Sequence, residues 1–226
     1  MRFAIAVYPG SNCDYDMYYV ITQILKKDAQ FVDYRETDLS KFDCVVIPGG
    51  FSFGDYLRPG AIASHTPLTN AIKEFAEKGK LVIGICNGFQ ILTESHLLPG
   101  ALLPNNHGRF ICKKQYLKVE NNDTPFTKLT KKGEILQIPI AHHDGNYFCD
   151  EETLEEMEKN GQIILRYCDE NGNITEDSNP NGSLQNIAGI TNKNKNVFGL
   201  MPHPERASEI LLGSEDGVKI LKSIIS

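Results

Sequence analysis

The stretch LVIGICNGFQ, Leu81 to Gln90, holds the fold in miniature. Its first five residues are continuously apolar, the pattern of a strand buried on both faces. From Gly88 to about Ser95 the pattern becomes that of a short helix. A strand therefore feeds a helix directly, with Cys86 at the junction. Upstream, Pro67 to Lys78 reads as another helix, with Leu68, Ile72, Phe75 and Ala76 on its inner face. Pro67 suits a first turn and Gly79 a C-terminal cap. Residues 42–47 (FDCVVI), 30–34 (QFVDY) and 3–8 read as further strands. Ser11, Asn12 and Asp14 are good cap residues, and Met17, Val20, Ile21, Ile24 and Leu25 then recur at helical spacing. Buried strands separated by helices predict an α/β fold, a mostly parallel central sheet with helices on both faces. Ligands of such sheets bind beyond the carboxyl ends of the strands. Pro9-Gly10, Gly49-Gly50 and Cys86 are expected to gather there.

The second half reads differently. Residues 110–120 and 135–141 suggest an added, more exposed antiparallel β excursion. Residues 151–160 form an acidic helical pattern. Residues 169–186 contain Asn179-Pro180-Asn181-Gly182 and read as a turn or mobile hairpin tip. Buried strands resume at 187–191 and 197–201, and a last helix over 214–225 buries Val218, Leu221, Ile224 and Ile225. With neither repeat nor linker, residues 1–226 are expected to form a single domain.

Composition narrows the function. Hydrophobic residues make up 41% and charged residues 23% of the 226, the balance of a packed, water-soluble protein. Twenty-three Lys and Arg against 29 Asp and Glu leave a net charge of −6, which argues against a nucleic-acid surface. Lys113-Lys114 and Lys131-Lys132 are short pairs near acids and read as solvated surface. No stretch approaches the roughly 18 apolar residues of a membrane span. The first apolar run stops at Pro9, shorter than a signal core, and reads as a strand. The six cysteines include no C-x-x-C pair, so free thiols in a reducing cytoplasm are expected.

The segment Gly84-Ile85-Cys86-Asn87-Gly88 has the G-x-nucleophile-x-G form of a tight strand-to-helix turn. The following helix points its N-terminus at the sulfur, which favours a thiolate. The amide of Asn87 is placed to stabilise an oxyanion. Such a thiol needs a base, and His203 in Met201-Pro202-His203-Pro204-Glu205-Arg206 is the candidate. It follows a buried strand and should reach the same sheet edge. Pro204 pushes His203 towards extended backbone, which would set Glu205 beside the imidazole as the orienting third member. A backbone amide at Gly49-Gly50 could complete the oxyanion hole. The run after it is not a P-loop, because G-x-x-x-x-G (Gly49 to Gly54) is followed by Asp55 where Lys is required.

These stretches resemble the class I glutamine amidotransferases, and among them the glutaminase subunits of phosphoribosylformylglycinamidine synthases. The likeness runs through Tyr8–Asp14, VDYRET (32–37), IPGGFSFGDYLRPGA (47–61), GICNGFQILTE (84–94), LLPGALLPN (97–105), IAGITN (187–192) and MPHPERASE (201–209). It implies a flavodoxin-like sheet, with Cys86, His203 and Glu205 as a catalytic triad. It implies Gly50 and Asn87 amides at the oxyanion hole, and Gln90, His142 and Gly145 near the glutamine. One segment departs from it: Ala141-His142-His143-Asp144-Gly145 stands where the family has A-H-G-E-G. The resemblance also implies hydrolysis of glutamine through a thioester and delivery of ammonia to a larger ATP-using synthetase subunit. That partner would act on formylglycinamide ribonucleotide in purine synthesis, with a small third subunit. No cofactor or metal is expected on this chain; ATP and Mg belong to the synthetase.

Two other readings compete. One is a cysteine hydrolase or stress protein of the same sheet architecture. The other is a nucleotide or flavin binder that cradles phosphate with Pro9-Gly10-Ser11-Asn12 at a helix start.

Overall fold

A computed structural model describes residues 1–226. The first half alternates strand and helix: β1 (Arg2–Val7), α1 (Asp14–Tyr19), β2 (Asp28–Asp33), β3 (Cys44–Ile47), α2 (Pro67–Glu77), β4 (Leu81–Ile85) and α3 (Asn87–Glu94). There follow β5 (Ala101–Leu103), β6 (Ile111–Val119), β7 (Ile135–His142), β8 (Asn146–Phe148), α4 (Glu151–Lys159), β9 (Ile163–Cys168), β10 (Ile187–Thr191), β11 (Val197–Leu200) and α5 (Asp216–Ile225).

Nine strands form one sheet in the order β2-β1-β3-β4-β11-β10-β9-β6-β7, while β5 and β8 pair separately. The five strands from β2 to β11 are mutually parallel. From β11 outward every pairing is antiparallel. The expected antiparallel excursion is therefore present. It extends the parallel sheet edge to edge through β9, a strand that the periodicity does not single out.

Burial follows these roles. All residues of β3, β10 and β11 are buried, and β4 is buried after Leu81, so the centre of the sheet is covered on both faces. β7 alternates buried and half-buried residues, as a strand covered on one face does. Strand order reverses between β1 and β3. Right-handed crossovers therefore put α1 and α2 on opposite faces, and a crevice opens at the carboxyl ends of these two strands.

Local chemistry sets the helix boundaries. The Thr66 side chain accepts the amide of Thr69, Pro67 takes the first turn, and Gly79 is left-handed at φ +76°. Asp150 caps α4 by accepting from Thr153 N at 2.7 Å. After Tyr19, α1 widens into a π turn over Val20–Ile24, so the expected helical face continues through a different hydrogen-bond spacing. Residues 169–186 join the antiparallel neighbours β9 and β10. This segment is tied down by its asparagines: Asn186 Nδ2 donates to the carbonyls of Tyr167 and Thr175, and Asn179 Nδ2 to that of Ser183. No helix is long and apolar enough to cross a membrane.

Candidate active site

Because β1, β3, β4 and β11 are parallel neighbours, the residues that follow them meet at one edge. Pro9 to Cys13 follow β1, Gly49-Gly50 follow β3, Cys86 follows β4 and His203 follows β11.

Cys86 holds φ +51° and ψ −105°, a backbone state that side-chain-bearing residues rarely adopt. Its amide donates to the carbonyl of Leu200 in β11, and its carbonyl accepts from Gln90 N. These two bonds fix the bend between strand and helix. The flanking glycines are required by contact. A Cβ on Gly84 would lie 2.6 Å from the Gly88 carbonyl oxygen, and one on Gly88 would overlap the carbonyl oxygen of Ile47 in β3. The G-x-C-x-G spacing is therefore the spacing at which α3 can pack its first turn onto the sheet.

His203 is buried, and its amide donates to the carbonyl of Pro139 in β7. Its Nδ1 lies 2.6 Å from Glu205 Oε1, while Nε2 has no protein partner. Glu205 reaches the ring in a way the sequence did not suggest. Pro204–Arg206 is a 3₁₀ turn, not extended chain, and it curls the carboxylate back onto the imidazole. A Cβ on Gly49 would sit 2.8 Å from His203 Cε1, 3.2 Å from Cys13 Sγ and 3.5 Å from Cys86 Cβ. The imidazole, the Cys13 sulfur and the Cys86 Cβ thus close on one small glycine-lined space. Burial opposes protonation of His203, but the Glu205 carboxylate and the Cys86 sulfur outweigh it and hold the imidazole well above the usual histidine range. The Cys86 thiol meanwhile donates to the Ala141 carbonyl at 3.6 Å.

The Gly49 carbonyl accepts from the amides of Asn12 and Cys13 at 3.1 and 3.0 Å. In a trans peptide the next N–H points the opposite way, so this anchor turns the Gly50 amide from the β1 loop. Gly50 lies on the cavity wall, and its amide donates to no other group of the chain. Asn87 opens α3, so its amide has no acceptor in the preceding turn. Asn12 belongs to the turn Pro9-Gly10-Ser11-Asn12 expected to cradle phosphate in the nucleotide-binder reading, and Cys13 follows it. The amides of Asn12 and Cys13 are satisfied internally.

Beside Cys86 lies a cavity of about 240 Å³, the space of about eight waters and suited to an amino acid. Gln90 and His142 line it; Gly145 does not, and a Cβ there would overlap the His142 ring. Gln90 is a strut: Ser52 N donates to Asn87 Oδ1, Asn87 Nδ2 to Gln90 Oε1, and Gln90 Nε2 to the Asp144 carbonyl. This relay ties the loop after β3, the elbow helix and the turn after β7 into one wall. His142 Nε2 meets Asn181 Nδ2 at 3.0 Å, and burial, with His203 and His107, lowers its pKa to about 3. The ring is therefore a neutral acceptor, and Asn181 is the donor. His143 instead pairs with Asp144 at 2.8 Å, so the two histidines turn to different partners.

Sequence reasoning missed Cys13 and Arg206 as members of this site. Cys13 Sγ is 3.9 Å from His203 Nδ1 and accepts from Arg206 Nη2 at 3.0 Å. Cys13, His203 and Glu205 carry possible ligand atoms within 4.8 Å of one another. The only signal for Cys13 was its place after β1 at the shared edge.

A family model described as the CobB/CobQ-like glutamine amidotransferase domain matches residues 1–215. The chain belongs to the CobB/CobQ-like glutamine amidotransferase family. This amidotransferase is 64% identical over 226 residues to the phosphoribosylformylglycinamidine synthase subunit PurQ of Aquifex aeolicus, covering 100% of both proteins. The PurQ subunit of Koribacter versatilis is 54% identical over 225 residues, covering 100% of this chain and 97% of that protein. Among solved structures, a chain of PurLQS from Thermotoga maritima matches with a TM-score of 0.87 at 48% identity, over 99% of this amidotransferase and 97% of that chain.

Proposed function

We propose that this chain is the glutaminase subunit of a phosphoribosylformylglycinamidine synthase. The observation that carries the reading is the line from Glu205 through His203 to the strained Cys86, set in an amidotransferase fold beside an amino-acid-sized cavity.

The geometry supports the following chemistry. His203 takes the thiol proton, and Cys86 Sγ attacks the side-chain amide carbon of glutamine. Charge develops on the amide oxygen, to which the unpaired Gly50 and Asn87 amides would donate. His203, kept protonated by Glu205, passes its proton to the leaving nitrogen, which departs as ammonia and leaves a glutamyl thioester. Water then attacks the thioester, again losing its proton to His203. Glutamate is released and the thiol restored. Gln90 holds the wall of the glutamine site, and His142 stays neutral behind it. Gly145 supports that wall by packing against His142.

Ammonia in neutral water is mostly ammonium, which has no lone pair, so it is useful only if delivered directly. The relatives' names and the PurLQS structure support a larger synthetase partner and a small third subunit. The chain lacks a G-x-x-x-x-G-K-[ST] loop, so ATP and Mg are assigned to that partner, which converts formylglycinamide ribonucleotide to its amidine. Half-exposed Phe51 and Phe110 at the cavity mouth, with exposed Tyr56 and Leu57 on the adjoining loop, offer an apolar face for docking. Six free cysteines suit a reducing cytoplasm.

The test is Cys86→Ala in the assembled complex. Glutamine-dependent synthesis is expected to disappear while synthesis from ammonium salts persists. Retention of glutamine-dependent activity would overturn the reading.

A further inference from the structure

The line from Cys86 to Glu205 ends in a charge that the imidazole matches only part of the time. Glu205 is buried together with His203, and its Oε1 meets Nδ1 of the ring. Its Oε2 is shut off from solvent and accepts no hydrogen bond. While His203 is protonated, the two charges offset each other. Each turnover also passes through states in which the imidazole has given its proton away. The carboxylate is then a buried anion beside a neutral ring, a costly arrangement unless a second, permanent cation lies within reach. A guanidinium keeps its proton at any working pH and meets that need.

Arg206, the next residue of the same 3₁₀ turn, is such a cation. Its Nη2 donates to Cys13 Sγ at 3.0 Å, and this sulfur lies 3.9 Å from His203 Nδ1 and within 4.8 Å of the Glu205 carboxylate. The guanidinium therefore bears on the one sulfur that abuts both the ring and its acid. Cys13 is buried against Gly49, and on its other side Arg206 reaches Asp16 at 3.6 Å. The titratable groups that face this arrangement come from several elements: Cys13 and Asp16 from the segment after β1, Cys86 from the elbow, His142 from β7 and Glu205 from the turn itself. The groove behind the turn adds Tyr19 and Glu209. Burial works against the charge of Arg206, but Cys13, Glu205 and Asp16 outweigh it and hold the guanidinium above its ordinary value.

We propose that Arg206, seated on Cys13, is a positioning residue of the triad, keeping Glu205 ionised while the imidazole is neutral and holding the Nδ1 edge of the ring against its carboxylate. This assignment rests on the glutaminase reading, which makes Cys86, His203 and Glu205 a triad. Arg206 acts through Glu205 and Cys13. A nearby cation favours the deprotonated form of every group it faces. Arg206 therefore lowers the pH at which the coupled Cys86 and His203 pair becomes reactive, and removing its charge raises that pH.

The experiment follows two pH profiles in the assembled synthase: alkylation of Cys86 by iodoacetamide, located by peptide mass mapping, and glutamine kcat/KM. Arg206→Gln removes the charge and keeps a hydrogen-bond donor. The acid limb of both profiles is expected to rise by about half to one pH unit, the order of one partly solvated charge, so that rates below the limb fall about three- to tenfold. Arg206→Lys keeps the charge and should leave both limbs within about 0.2 of a pH unit. Cys13→Ala removes the seat and should raise the limb as well, and the double variant with Arg206→Gln should go no further than Arg206→Gln alone, because both act through one contact. Ammonium-dependent synthesis reports that each variant assembles. An unmoved limb in Arg206→Gln, an equal rise in Arg206→Lys, or additive rises in the double variant would overturn the assignment. If Arg206→Gln does not assemble, Asp16→Asn is read instead, since it removes the exposed anion on the far side of the guanidinium: a lowered limb supports the assignment, and an unmoved or raised limb overturns it. A wild-type complex that is alkylated at Cys86 yet releases no glutamate from glutamine would bring down the glutaminase reading alone, because the alkylation limb still reads the charge of Arg206.

Discussion

His203 Nδ1 and Glu205 Oε1 lie 2.6 Å apart inside a 3₁₀ turn, with both side chains buried. The turn leaves the opposite ring nitrogen, Nε2, buried and without a protein partner, in a side chain that lines the same cavity as Cys86. The carboxylate thereby fixes the ring and stabilises its charged form. Glu205→Gln keeps the shape and removes the charge. It is expected to lower glutamine kcat by roughly 10²- to 10⁴-fold, the range seen when an orienting acid of a triad is neutralised. Steady-state glutaminase rates in the complex measure this, with ammonium-dependent synthesis as the unchanged control.

Gly88 has no room for a side chain against the Ile47 carbonyl. Gly88→Ala must therefore push α3 off β3, at a cost of about 1–3 kcal/mol typical of overpacking. The same shift would move Cys86, so stability and glutaminase rate should fall together. Urea unfolding with parallel activity measurements checks both.

The relay from Ser52 through Asn87 and Gln90 to Asp144 crosses three separate segments. Gln90→Leu leaves Asn87 Nδ2 and the Asp144 carbonyl without their partner, at about 1–3 kcal/mol per buried unsatisfied group. The cavity wall loosens, and glutamine KM should rise more than kcat falls. Saturation curves for the complex separate the two parameters.

His142 is an acid-sensitive group of the cavity wall. Its pKa is lowered to about 3 in the folded protein, so the unfolded chain binds the extra proton first as pH falls. Stability contributed by neutral His142 is therefore complete above about pH 6.5 and is lost progressively down to about pH 3, with a limiting slope of about 1.4 kcal/mol per pH unit. Chemical unfolding across that interval should show a shallower slope for His142→Gln than for the wild type.

Much of this site was legible in the residues themselves. Gly84-Ile85-Cys86-Asn87-Gly88 identifies a strand-to-helix bend because only glycine tolerates the contacts on either side of the cysteine. The apolar runs of β3, β4 and β11 mark buried parallel strands, and their carboxyl ends place Gly50, Cys86 and His203 on one edge. Local sequence carries such features because each is set by neighbours along the chain.

Other features depend on residues far apart in sequence. Only the folded chain joins β9 to both β10 and β6, making the antiparallel excursion a continuation of the main sheet. Only the tertiary structure brings Cys13 against His203, turns Gln90 into a strut, curls Glu205 back through a 3₁₀ turn, and leaves Asp55 Oδ1 buried without a hydrogen-bond partner. Strand periodicity and glycine spacing are short-range constraints that survive in a linear pattern. The partner of a buried polar atom is decided by packing across the sheet edge, and no linear pattern records it.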